Sequence, residues 1–167
     1  LQTISDLKKS DNNLKNKIDF FSKNLELKSF FLLIKPKEII YTNTTYKKKL
    51  ERQIERLMKG GFRNIEICWS DNEHWLDYVS NLKLKFPKLN LGSASIINKK
   101  SIDDSIKIGL RYSMMKNWDK DLLHYSKSKS HLLIPGIKNL KNLKEAIDLS
   151  CKIIKIYPVK EKLELIN

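Results

Sequence analysis

Apolar positions fall into two rhythms along the chain: short, nearly continuous runs, and longer stretches with three-to-four spacing. The short runs predict strands at Phe30–Ile34, Asn64–Trp69, Leu89–Ala94, Arg111–Met115, His131–Pro135 and Ile153–Tyr157. Helices are predicted around them. Leu14, Ile18 and Phe21 give an N-terminal helix. Tyr46, Leu50, Ile54 and Leu57 give a second, capped by Thr44 and closed by Gly60-Gly61. Trp75, Leu76, Val79 and Leu82 form the next stripe, ended by Pro87. Ser101, with Asp103 and Asp104 behind it, predicts a helix start, and Gly109 its stop. Asp119 precedes Leu122 and Leu123, and Asn139 precedes Leu140, Leu143, Ala146 and Ile147.

A helix and then six strands, with a helix after each of the first five, predicts an α/β protein with a parallel sheet under helices. After the long second unit, strands start about every 20–25 residues. An open doubly wound sheet and a closed (β/α)8 barrel both fit alternation of this kind. No Gly-x-Gly-x-x-Gly follows the first strand, so the dinucleotide fold has no positive support. The near-constant repeat favours the TIM barrel, of which about the first six βα units are present. Residues 1–29 read as a polar segment with one helix, and residues 30–167 as an incomplete barrel domain.

Composition changes this picture little. The 167 residues suffice for one domain, and 41% hydrophobic with 31% charged residues is ordinary globular usage. No apolar run approaches the roughly 18–20 residues of a membrane span, and no secretory leader opens the sequence, so a cytoplasmic protein is expected. Cys68 and Cys151 lie far apart inside apolar runs and read as reduced core thiols. The net charge of +14 raises nucleic acid as a partner. However, 29 of the 33 basic residues are lysine, spread over the chain, with arginine only at positions 52, 56, 63 and 111. Phosphate-reading surfaces favour clustered arginine forks, so solvated lysines are the better reading and no nucleic acid is expected.

Two charges break the apolar strands. Glu66 lies within Asn64-Ile65-Glu66-Ile67-Cys68-Trp69, and Lys155 within Ile153-Ile154-Lys155-Ile156-Tyr157-Pro158. Neither face of a barrel strand is wet, so a charge there is costly unless paired or used. Alternation puts Glu66, Cys68 and Ser70 on one face, and Lys155 and Tyr157 on another. If both faces point inward, a carboxylate and an amine meet near the C-terminal rim, where barrel active sites lie. A desolvated lysine is a nucleophile towards carbonyl carbon, and a carboxylate beside it moves protons. A buried ion pair, or a strand end that leaves Lys155 solvated, accounts for the same residues.

Four segments at strand ends resemble the class I KDPG/KHG aldolase family (2-keto-3-deoxy-6-phosphogluconate and 4-hydroxy-2-oxoglutarate aldolases). Gly60-Gly61-Phe62-Arg63-Asn64-Ile65-Glu66-Ile67 is similar to the family's Gly-Gly-…-Ile-Glu-Val, and Leu91-Gly92-Ser93-Ala94-Ser95-Ile96 to Val-Gly-Ala-Gly-Thr-Val. Leu133-Ile134-Pro135-Gly136-Ile137 matches Val-Ile-Pro-Gly-Val, and Lys155-Ile156-Tyr157-Pro158-Val159 matches Lys-Leu-Phe-Pro-Ala. The resemblance implies a Schiff-base lyase that cleaves a 2-keto acid to pyruvate and an aldehyde. Lys155 would form the imine and Glu66 would be the general acid/base. Ser95, Tyr157, Pro135 and Gly92 would line or contact the substrate. It implies no metal and no organic cofactor, a 2-keto acid as the small-molecule partner, and a homotrimer.

Two segments depart from the pattern. Ser70-Asp71 stands for the family's Arg-Thr, and Met115-Lys116-Asn117 for its Ser-Pro-Gly. Lys116 or Lys138, each just past a predicted strand end, is a candidate replacement for the lost arginine charge. The family's last two βα units, with Gly-rich anion-binding loops, have no counterpart here. These departures leave two alternatives open: a diverged aldolase-like protein of weak or no activity, and a basic nucleic-acid-binding module.

Overall fold

The computed structural model describes residues 4–27 and 31–156, with residues 4–10 and 27 described as backbone only. Helix α1 (Ile4–Leu27) leads into strand β1 (Phe31–Ile34) and a short 3-10 turn at Glu38–Tyr41. Four βα units follow in sequence. They are α2 (Thr44–Lys59) and β2 (Asn64–Cys68), α3 (Trp75–Lys85) and β3 (Asn90–Ile96), α4 (Lys99–Ile108) and β4 (Tyr112–Met115), and α5 (Lys120–Ser128) and β5 (Leu132–Ile134). After Pro135 come β6 (Gly136–Ile137), α6 (Leu140–Asp148) and β7 (Lys155–Ile156).

Strands β1 to β5 form one sheet, hydrogen-bonded in the order β1-β2-β3-β4-β5, and every pair is parallel. That order decides between the two expected architectures. A doubly wound sheet reverses direction at a switch point, whereas strands of a barrel are added one after another around the axis. The chain therefore builds consecutive units of a (β/α) barrel. The fifth predicted strand, His131–Pro135, is shorter, Leu132–Ile134, and the extended chain resumes beyond Pro135 as β6. Proline lacks the N–H that a ladder requires. On one side of it β5 pairs with β4, and on the other β6 pairs with β7 in a separate two-stranded sheet.

Alternation sorts the strand residues into two faces. Ile65, Ile67, Leu91, Ile96, Met115 and Leu133 point outward and pack with Leu50, Ile54, Val79, Leu82, Ile102 and Leu122 of the surrounding helices. Cys68, Ala94, Tyr112, Met114, Leu132 and Ile134 point inward, where Phe21 of α1 joins them. Phe21 lies 5.1 Å from Phe31 and 4.7 Å from Tyr112, ring centre to ring centre, the second contact edge-on. The N-terminal helix expected from Leu14, Ile18 and Phe21 thus covers the inner face of the sheet.

Capping side chains set the starts of α2, α4, α5 and α6. Asp119 and Asn139 cap α5 and α6, accepting the backbone N–H groups of Leu122 and Asn142. Two caps differ from the expectation. Asn43, not Thr44, accepts the N–H groups of Thr45 and Tyr46. In α4 the cap is Asn98, and Ser101 is the reciprocal partner of a capping box. A short amide side chain reaches the free N–H groups of the first turn as well as a hydroxyl does, so the cap moves to wherever the backbone turns extended. Gly109 closes α4 at φ 74°, a left-handed conformation that other residues adopt only with strain.

Gly92 is required on packing grounds. A β-carbon there would lie 2.4 Å from the ring of Tyr112, which is itself 1% exposed and cannot swing away. Gly92→Ala should therefore lower stability by about 1–3 kcal/mol, the usual cost of overpacking. The check is a lower urea midpoint at unchanged slope, with recovery when Tyr112 is also trimmed to Leu.

Candidate active site

Glu66 sits in the middle of β2, on the inner face, and is 6% exposed. Its neighbours along the strand, Ile65 and Ile67, point to the opposite face and are fully buried. Burial pushes its carboxyl up to about 7, and the positive charge of Lys155 pulls part of the way back. The buried carboxyl thus exchanges its proton near neutrality.

Lys155 opens β7. Its backbone N–H donates to the Pro135 carbonyl at 2.9 Å, and it stands opposite Gly136 in the parallel register. Pro135 therefore acts on Lys155 through the backbone. It follows the end of β5, and its carbonyl anchors the start of the strand that carries the amine.

Ser95 reaches the site through a bulge. Ser93 pairs with Ser113 and Ile96 with Met115, so two residues of β3 oppose one of β4. Ser95 takes up the extra residue at φ 61°, a strained conformation for a side chain larger than hydrogen. Its hydroxyl donates to the Cys68 sulfur at 3.4 Å. Both cysteines are free, Cys68 buried and Cys151 half-buried.

Glu66, Ser95 and Lys155 line one cleft of about 510 Å³ at the C-terminal ends of the strands. Phe21, Phe31, Met114 and Ile134 supply apolar walls. Two further lysines border it, Lys35 just past β1 and Lys116 just past β4. Of the two replacement charges considered above, Lys116 is at the cleft. Lys138 instead donates to Asn117 Oδ1 at 2.6 Å on the exposed surface. Lys35 was missed in the sequence, although it ends its strand in the same way as Lys116.

The remaining expected residues fall elsewhere. Gly92 lies beneath Tyr112 and Pro135 borders a separate small cavity beside His131. Tyr157 is outside the described residues. Ser70 lies beyond the end of β2, facing Glu38 rather than the cleft. Asp71 is paired with Lys100 at 2.8 Å, and Lys100 also bridges to Asp104 at 3.0 Å. At the end of β2 the rim is thus acidic, with Lys100 already shared between two carboxylates.

The state of Glu66 predicts a pH dependence of stability. The unfolded chain releases this proton near the ordinary 4.5 and the folded chain near 7. The folded state therefore holds the proton more tightly, and the contribution is full below pH 4.5 and lost as pH rises through 7. Glu66→Gln removes the loss, so the variant should gain about 3 kcal/mol on the parent between pH 4.5 and 8. Urea unfolding of both proteins across that range measures it. His131, held down to about 3 by burial and by Lys17, has the opposite slope and cancels in the difference.

Comparisons with known proteins bear on the family and the fold. The family model described as KDPG and KHG aldolase matches residues 36–163. A 2-dehydro-3-deoxy-phosphogluconate aldolase of Pseudoalteromonas atlantica is 26% identical over 102 residues, which are 61% of this chain and 47% of the relative. The chain thus spans about half the length of the curated relative it matches. Among solved structures, KDPG aldolase of Legionella pneumophila, with pyruvate captured as a covalent carbinolamine, superposes with a TM-score of 0.66 at 21% identity. That match covers 78% of this chain and 59% of the other. The 2-keto-3-deoxy-6-phosphogluconate aldolase of Zymomonas mobilis, with 3-phosphoglycerate, gives 0.65 at 18% identity, covering 78% and 58%. A family match over most of the chain, on a sheet built strand after strand, makes this protein a member of the KDPG and KHG aldolase family.

Proposed function

We propose that this chain carries the imine-forming machinery of a Schiff-base aldolase that cleaves a 2-keto-3-deoxy-6-phosphogluconate-type acid to pyruvate and an aldehyde. The carrying observation is the single cleft shared by Lys155, Glu66 and Ser95, with the lysine charge acting on a buried carboxyl. A proton acceptor balanced near neutrality is the partner an amine nucleophile needs.

In this reading the Lys155 Nζ, as the free amine, attacks the C2 carbonyl carbon of the substrate. Glu66 supplies the proton on which the resulting hydroxyl leaves as water, giving the iminium. Glu66, now a carboxylate, accepts the proton of the C4 hydroxyl. The C3–C4 bond breaks, its electron pair moves into the iminium, and the C4 fragment leaves as the aldehyde. The enamine left on Lys155 takes a proton at C3, and water releases pyruvate and the free amine. Ser95, held at the cleft by the bulge, offers a hydroxyl to steady the substrate oxygen. The apolar walls exclude bulk water, which keeps the proton exchange between Glu66 and the substrate. The cytoplasmic location and the homotrimer implied by the resemblance belong to the same reading.

Borohydride reduction in the presence of pyruvate tests it. The chain should gain the mass of one reduced pyruvate at Lys155, and Lys155→Ala should gain none. Glu66→Gln should slow adduct formation by about 10²-fold or more. No adduct on the folded parent, or an adduct that persists without Lys155, would overturn the proposal.

A further inference from the structure

Three lysines, Lys35, Lys116 and Lys155, border the cleft, and only one of them can be the nucleophile. A 2-oxo acid also carries a carboxylate, bonded directly to the carbon that Lys155 attacks. That negative charge must be held close to the Lys155 Nζ. The end of β2 cannot hold it, since Asp71, Asp104 and Glu38 stand there and Lys100 is claimed by two of them. Lys138 is tied to Asn117 outside the cleft.

Strand order separates the two remaining lysines. Lys35 follows β1, which pairs with β2, the strand of Glu66. A substrate carboxylate held there would lie on the side of a carboxyl that must itself ionise during the reaction, and like charges oppose that. Lys116 follows β4, which pairs with β5. The chain continues through Pro135 into β6, and β6 pairs with β7, the strand of Lys155. Two strand spacings put the two lysine backbones about 10 Å apart, so their long side chains can meet over one small ligand. The Lys116 backbone is fixed, its N–H donating to the Ile96 carbonyl at 3.0 Å, while its side chain is exposed at the cleft. Among the described residues no carboxylate pairs with its ammonium.

The geometry points to Lys116 as the residue that holds the substrate carboxylate, two strands from Glu66 where Lys35 is one strand from it. The assignment rests on the proposed Schiff-base reading for its substrate, but its test does not need the imine to form. Oxamate, a carboxylate that resembles pyruvate and cannot condense with an amine, is titrated calorimetrically into the full chain. Lys116→Met should weaken oxamate about tenfold or more, the scale of a lost charge-assisted hydrogen bond. Lys138→Met should leave it unchanged. In the borohydride assay, Lys116→Met should raise the pyruvate needed for half-maximal adduct by a similar factor. The variant should still trap acetone, which has the ketone and lacks the carboxylate, as the parent does. The assignment is overturned if oxamate does not bind the parent, if Lys116→Met binds it as the parent does, or if Lys35→Met carries the loss instead. Equal losses for pyruvate and acetone would also overturn it, because they would mean that Lys116 acts on Lys155 and not on the carboxylate. Failure of the parent to form any adduct, with oxamate binding still dependent on Lys116, would count against the Schiff-base reading alone.

Discussion

The constraint on which this protein turns is that a parallel sheet covered on both faces has no wet side. Each strand residue lies either under the outer helices or on the inner face, and the inner face is largely sealed by apolar side chains from α1 and the strands themselves. Polar groups survive there only with a partner or a task. Glu66 is the consequence: a carboxyl in that setting is pushed up to about 7 by burial, and a facing lysine restrains the shift without cancelling it. The chemistry proposed for the cleft follows from this placement. The same carboxyl on a sheet with a solvated face would be ionised throughout and a poor proton donor.

The same constraint shapes the outer face, where a line of hydroxyls lies between sheet and helix. Ser105 Oγ donates to the Ser101 carbonyl at 2.7 Å, which uses its single proton. It must therefore accept from Ser93 at 2.7 Å, and Ser93 in turn from Ser113 at 2.6 Å. Ser113, having spent its proton, accepts from His131 Nε2 at 2.7 Å. The chain of donors thus places a hydrogen on Nε2, and the buried Nδ1 has no partner among the described residues. Burial and the nearby Lys17 charge keep the ring neutral. Four serines and a histidine replace larger apolar groups here and let α4 approach the sheet closely while every hydroxyl is satisfied.

Regular alternation was legible in the amino-acid sequence because it reflects repeated burial. Runs such as Ile65-Glu66-Ile67-Cys68 have one reading as a buried strand, and the helix stripes between them follow from spacing alone. Glu66 and Lys155 stood out because charge is rare in such runs. What could not be read was irregularity. Pro135 was expected at the end of a strand and instead lies between β5 and β6, because a missing N–H is harmless only where the pairing changes sides. The β3 bulge has no sequence mark, since Ser95 is not the glycine a positive φ would suggest. Lys35 was indistinguishable from background lysine until the strand ends were assembled around one cleft.

These irregularities are where the site is made. A barrel strand of perfect register delivers alternate residues inward at fixed heights, and the inner layers fill with side chains. To open a cleft, some strands must depart from that register. The bulge turns Ser95 towards Cys68 and the cleft, at the cost of a strained backbone. The break at Pro135 frees the following residues to pair with β7, which brings Lys155 to the same cleft as Glu66. Regular elements supply the dry surroundings that alter the carboxyl, and the two interruptions supply the groups that use it. Neither suffices without the other, since a serine and a lysine on an open surface would meet no buried acid.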